Sequence, residues 1–281
     1  MRVTILGATG FIGGHLDAAL RARGDEVVQA SLRDPARAAA ASEGSDVVVN
    51  LAGAPVAVRW TSAAKEAMWT SRVDAPRAYL AALAGIAERP SAYVSASAIG
   101  YYGTSRTATF TETARPGDDF LARLCVAWEA QADAAGATLG LRVAKVRTGL
   151  VLAKGGGVLG KLLPVFRLGL GGVVAGGRQW YSWIHLEDQI GIYLLAIDGA
   201  AGVLNATAPN PVTNREFTRA LAGAVGRPAL IPLPAFGAAL LLGEGAYVIT
   251  EGQRVLPDAT RSAGYTFRHP TLHEALRSLM P

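Results

Sequence analysis

A single cysteine, Cys125, stands among the 281 residues. No intrachain disulfide is possible, which sets aside the stapled secreted scaffolds, and nothing suggests an oxidising compartment. The four histidines, His15, His185, His269 and His273, show no HExxH spacing, and Pro270 breaks the one helical interval between them. No metal site is expected. Charged residues are sparse, 17% against 51% hydrophobic, a balance that excludes a disordered chain. The net charge is +5, but the basic residues stand singly, with no run of the kind that binds nucleic acid. Long apolar runs are missing too. The most lipid-like stretch, Pro234 to Ile249, is interrupted by Gly237, Gly243, Glu244 and Gly245 and is too short to span a bilayer. The apolar run at Met1 to Gly7 is too short for a signal peptide. The expectation is a soluble cytoplasmic protein, monomer or homodimer, with neither a nucleic-acid nor a membrane partner.

What the chain does carry is an alternation of short apolar runs and helical periods. Residues 2–6, 26–32, 46–51, 92–97 and 140–152 read as strands, the third (DVVVNL) apolar on both faces as a central parallel strand requires. Helices are expected at 11–23, across 62–87 with a break near Pro76, and at 120–135. This pattern predicts an α/β fold, a doubly wound parallel sheet of the Rossmann kind. It spans residues 1–152, with returning elements near 186–206. Residues 153–281, rich in glycine and proline, are expected to form a smaller substrate-binding lobe. Its clearest element is a helix over Asn214–Val225, capped by Asn214 and stopped by Gly226.

The most specific motif is GATGFIG, residues 7–13. It follows a strand and opens a helix. Gly7 permits the tight turn, Gly10 lets a pyrophosphate approach the backbone, and Gly13 allows the helix to pack on the sheet. The helix N-terminus then offers free N–H groups to the anion.

GATGFIG, NLAG (50–53) and SASAIGYYG (95–103) together resemble the extended short-chain dehydrogenases/reductases of the NAD(P)-dependent epimerase/dehydratase type. FLARLCVAWE (120–129), RVAKVRTGLVL (142–152), GGRQWYSWIHLEDQ (176–189), NATAPNPVTNREFT (205–218) and GQRVLP (252–257) extend the resemblance over nearly the whole chain. They point to an atypical, nucleoside-diphosphate-sugar epimerase-like branch. The resemblance implies cofactor contacts from Gly7, Thr9, Gly10, Phe11, Ile12 and Gly13, from Leu51, Ala52 and Gly53, and from Ser95. In NAD-using relatives an acid ends the second strand. That place falls to Ser31 here, with Arg33 following, a pair suited to a 2′-phosphate. NADP is the expected cofactor, although nearby Asp34 argues for NAD.

The family handles protons with asparagine, serine, tyrosine and lysine, the last two as YxxxK. Ser97 keeps the serine position. The tyrosine and lysine positions hold Leu121 and Cys125, and Arg72 falls near the asparagine. The expectation is therefore a non-standard site. Ser97 orients a substrate oxygen, Tyr101 or, less favoured, Tyr102 moves the proton, and Arg72 or Lys145 supplies the positive charge a tyrosine needs near neutral pH. That is an NADP(H)-binding oxidoreductase or epimerase-like protein acting on an unidentified small molecule. The alternative is a catalytically inactive NADP(H)-binding regulator or redox sensor. Arg178 to Trp183 (RQWYSW) fits either a ligand pocket or a seam between lobes.

Overall fold

A computed structural model describes residues 1–280, the side chain of residue 241 aside. Six strands form the central sheet: β1 (Arg2–Leu6), β2 (Glu26–Ala30), β3 (Val47–Asn50), β4 (Ala92–Ala98), β5 (Arg142–Thr148) and β6 (Gly202–Ala206). Every pairing is parallel, in the spatial order β2-β1-β3-β4-β5-β6. The chain leaves β1 to one side and returns at β3 on the other. The switch point, with its crevice beyond the carboxyl ends, therefore lies between β1 and β3.

Side-chain alternation along the strands builds two core layers. Val3, Ile5, Val47, Val49 and Val94 pack on Leu16 and Leu20 of α1 (Phe11–Arg23), together with Tyr193 further along the chain. Leu6, Val48 and Tyr93 face the opposite layer, against Tyr79, Leu83, Ala132 and Ala135. A strand with helices on both faces must be apolar on both, and all four residues of β3 are buried.

The helix expected across 62–87 with a break near Pro76 runs from Ser62 to Leu83, and its irregularity falls just before Pro76. Its pieces are α2 (Ser62–Trp69) and α3 (Ala75–Leu83), joined by a π-helical turn at Thr70–Asp74. Pro76 follows just after that turn, inside a continuous helical run, and has no N–H to give the carbonyls one turn back. The π turn is the actual irregularity, and it carries Arg72 inward. The helix expected at 120–135 runs on as α4 (Phe120–Leu139) until Gly140 turns left-handed. The second strand stops at Ala30, two residues short of expectation.

The lobe has its own apolar cluster, in which Leu159, Leu163 and Phe166 meet Trp183, Phe217, Leu221 and Leu276. The helix Asn214–Val225 is capped by Thr213, not Asn214. The Thr213 hydroxyl accepts from the Glu216 N–H while the Glu216 carboxylate accepts from the Thr213 N–H, a reciprocal capping box. Among the described residues no helix is long and apolar enough to cross a membrane.

Candidate active site

A cavity of about 520 Å³ opens at the carboxyl edge of the sheet, between the β1 turn, α4 and the lobe. Gly7, at the end of β1, has φ +88°, a left-handed value that favours glycine. A Cβ at Gly13 would lie 2.4 Å from the Gly7 carbonyl oxygen, so only glycine lets α1 start this close to the turn. Gly10 occupies the N-cap without a side-chain hydrogen bond, and the first turn of α1 contains no acid. The free N–H groups and the positive end of the dipole are therefore left for a ligand.

Gly7, Gly10, Phe11, Ile12 and Gly13 all line the cavity, as do Leu51 and Gly53. Three other expected contacts lie off its wall. Thr9 is solvent-exposed. The Ala52 N–H donates to Asn50 Oδ1 at 3.1 Å. Ser95 is buried and spends its hydroxyl on the Ala96 carbonyl, at 2.9 Å. Ser31 and Arg33 sit beyond β2, both exposed, the Arg33 N–H donating to Ser31 Oγ at 3.3 Å. Asp34 is committed as a helix cap, its Oδ1 accepting from the Arg37 N–H at 3.1 Å.

Ser97, at the end of β4, lines the cavity and is held from behind. Its hydroxyl donates to Glu129 Oε1 at 2.6 Å. Glu129 in turn takes a two-pronged ion pair from Arg147, Nε–Oε1 2.7 Å and Nη2–Oε2 2.8 Å. Arg147 Nη1 donates to the Tyr102 hydroxyl at 2.9 Å, and that hydroxyl donates to Asn205 Oδ1 at 2.7 Å. Ser97, Glu129, Arg147, Tyr102 and Asn205 are all buried. In the sequence Glu129 stands only as the last residue of FLARLCVAWE, with no motif to mark it as part of the site. One signal was available: a carboxylate mid-way along an otherwise apolar helix face needs a buried cation.

The two candidate tyrosines stand apart from the cavity wall. The Tyr101 ring covers the Arg147 guanidinium, 3.4 Å from Cζ to the ring centroid. Tyr102 is locked in the buried network, and burial pushes its hydroxyl up to about 12. Lys145 is paired with Asp133 at 2.6 Å. Leu121 and Cys125, four residues apart on α4, do line the cavity. Burial, with the Glu129 charge nearby, pushes the Cys125 thiol up to about 12, so it stays protonated at neutral pH. Arg72 also lines the cavity, and desolvation lowers its pKa from the ordinary arginine value.

The RQWYSW segment divides. Trp180 and Tyr181 face the cavity, whereas Trp183 is fully buried in the lobe core. Gln179 bonds the Val174 and Ile249 carbonyls, and Arg178 is exposed. His185 caps the helix Leu186–Ile197, its Nδ1 accepting from the Glu187 N–H at 3.1 Å, with its ring against His269 at 3.8 Å. His185, Glu187 and His269 bring ligand atoms within 4.8 Å of one another, but His185 Nδ1 and Nε2 are already engaged, the latter with Ser278.

A six-stranded parallel sheet with a bare glycine turn at its switch point is a Rossmann-type fold, of the kind found in NAD(P)-binding epimerases. The NAD dependent epimerase/dehydratase family model matches residues 3–206, and the chain belongs to that family. Residues 233–279 match a domain of unknown function, DUF1731. The human epimerase family protein SDR39U1 is 38% identical over the whole of both chains. An epimerase family protein of Mycobacterium leprae is 40% identical, over 98% of this chain and 94% of that one. A crystal structure of human SDR39U1 with NADPH superposes with TM-score 0.90 at 36% identity, covering 99% of each chain.

Proposed function

We propose that this chain binds NADP(H) and acts as an oxidoreductase or epimerase-like enzyme on a small molecule, without the tyrosine–lysine pair of its family. The observation that carries the reading is that the uncapped glycine turn opens into the same cavity as Ser97 and Arg72. The turn fits a dinucleotide: Gly13 lets α1 start against it, and the free N–H groups of α1 would hold a pyrophosphate. Ser31 and Arg33, exposed beyond β2, would take a 2′-phosphate, while Asp34 is occupied as a cap. The NADPH in the structure of the human relative supports the same choice. When bound, the nicotinamide supplies or accepts a hydride.

The chain's own groups divide the remaining work. Ser97 donates to Glu129, so its free lone pairs accept from the hydroxyl of the reduced substrate and orient it; on oxidation that proton would pass to Ser97 Oγ as the Ser97 proton passes to Glu129, and reduction runs the reverse. Arg147 holds Glu129 in place through its two-pronged ion pair. Arg72 gives the cavity wall a positive charge that an anionic substrate group can meet. Tyr101, expected to move the proton, serves here as a positioning residue over Arg147. The regulator reading is favoured by one observation, that Leu121 and a protonated Cys125 occupy the positions where the family moves protons.

NADPH consumption screened against carbonyl compounds separates the two. Turnover that falls about a hundredfold in Ser97→Ala supports the enzyme. NADPH binding with no turnover on any compound supports the regulator.

A further inference from the structure

Two donors on the cavity wall have nothing adequate to donate to. Arg72 is 9% exposed, yet among the described residues its guanidinium has one hydrogen-bond acceptor, the Met68 carbonyl, at the long distance of 3.5 Å. Arg147, 3% exposed, has a carboxylate on two of its nitrogens. Trp128 is 6% exposed, and its indole Nε1 has no acceptor among the described residues. The two stand together, Arg72 Cζ 5.0 Å from the Trp128 ring centroid, and both line the cavity. An unpaired buried charge and an unpaired buried N–H are both strongly unfavourable, so groups left in this state mark a place where a ligand completes them.

The geometry points to a substrate carboxylate held between Arg72 and Trp128. One negative charge matches the one uncompensated positive charge, and two oxygens match two donor groups. A ribose or sugar hydroxyl would leave the charge of Arg72 uncompensated. A phosphate monoester would bring nearly two charges and a third oxygen with no donor. The neighbouring wall is apolar. Leu121, Leu124 and Cys125 share with Trp128 the inward face of α4 at helical spacing, and Val56 also lines the cavity. The substrate class is thus a small carboxylic acid with an apolar body, anchored by its acid group so that its reacting oxygen meets Ser97. Arg72 reaches the cavity because the π turn adds one residue to the helix at that point.

This inference rests on the reading of the cavity as an NADP(H) and substrate site, and its test keeps the two apart. The full chain is titrated by calorimetry with 4-phenyl-2-oxobutanoate, its methyl ester and inorganic phosphate, with and without NADPH. Adenosine 2′,5′-bisphosphate, which lacks the nicotinamide half, reports separately on the glycine turn and on folding. The wild type is expected to bind the acid roughly tenfold more tightly than the ester. Arg72→Met brings that ratio near one and Arg72→Lys restores part of it. Trp128→Phe lowers it roughly threefold. All variants keep their affinity for the bisphosphate. Equal binding of acid and ester by the wild type overturns the proposal, as does a preference that survives Arg72→Met. Phosphate binding tighter than the acid also overturns it. So does an Arg72→Met protein that loses NADPH but keeps the bisphosphate, because Arg72 would then serve the nicotinamide half. A wild type that binds neither NADPH nor the bisphosphate fails the cofactor reading alone, and the acid-to-ester ratio without cofactor still decides this one.

Discussion

Gly10 and Gly13 stand three residues apart in one motif, and the structure predicts opposite phenotypes for them. At Gly13 a Cβ would meet the Gly7 carbonyl oxygen at 2.4 Å and Ala8 Cα at 2.9 Å. Both are backbone atoms, so the contact is relieved only by moving α1 or the turn. Overpacking of this kind typically costs about 1–3 kcal/mol, and the distance places Gly13→Ala toward the upper end. At about 2–4 °C per kcal/mol for a domain of this size, the melting temperature should fall by roughly 5–10 °C. At Gly10 the backbone has φ −74°, which any residue adopts, and a Cβ would meet only the Gly7 carbonyl, at 3.2 Å. Replacing an N-cap glycine changes helix stability modestly, on the order of 1 kcal/mol, so Gly10→Leu should melt within a few degrees of wild type. Its side chain would enter the space before the free N–H groups, where a pyrophosphate must come. NADPH affinity should drop about a hundredfold, equivalent to about 2.7 kcal/mol. The assay is thermal unfolding beside NADPH fluorescence titration. A folded Gly10→Leu protein with undiminished NADPH binding would refute the assignment of the turn.

Arg33→Ala should weaken NADPH by about 1.5–3 kcal/mol and leave NADH nearly unchanged, since only a 2′-phosphate makes the charged contact; paired titrations check it. Glu129→Gln should destabilise the fold by about 3–5 kcal/mol in denaturant unfolding, because Arg147, 3% exposed, loses the carboxylate it is paired with. Cys125, the sole cysteine, should react slowly with a thiol reagent at pH 8 in the native state and rapidly in denaturant. Its folded pKa is raised from 9.0 to about 12. The stability it contributes is therefore present below pH 9 and lost as pH rises between these values, because the unfolded thiol ionises first; Cys125→Ala should flatten that alkaline slope.

Much of the sheet and the turn could be read directly. β1 and α1 begin and end where periodicity and Gly24 put them, since each is punctuated by glycine with φ near +90°. Other elements were hidden for physical reasons. The helix Pro35–Ala41 is an alanine run with no amphipathic stripe, started by Asp34 rather than by any apolar period. The helix Gly157–Arg167 begins inside a glycine-rich stretch that masks its buried Leu159, Leu163 and Phe166. In the site, motif spacing located Ser97, Leu121 and Cys125, because each depends on one strand end or one helix face. The Glu129–Arg147 pair joins α4 to β5, and the neighbourhood of Arg72 and Trp128 depends on a π turn meeting α4. Neither leaves a local mark. Tyr101 illustrates the converse: its place after Ser97 suggested chemistry, whereas its ring lies on Arg147.

Parallel calorimetric titration of the wild-type chain with NADPH and NADH tests the central claim most directly. One NADPH should bind per chain, roughly tenfold or more tighter than NADH, as the guanidinium of Arg33 at a 2′-phosphate requires. Absence of saturable NADPH binding, or tighter binding of NADH, would contradict it.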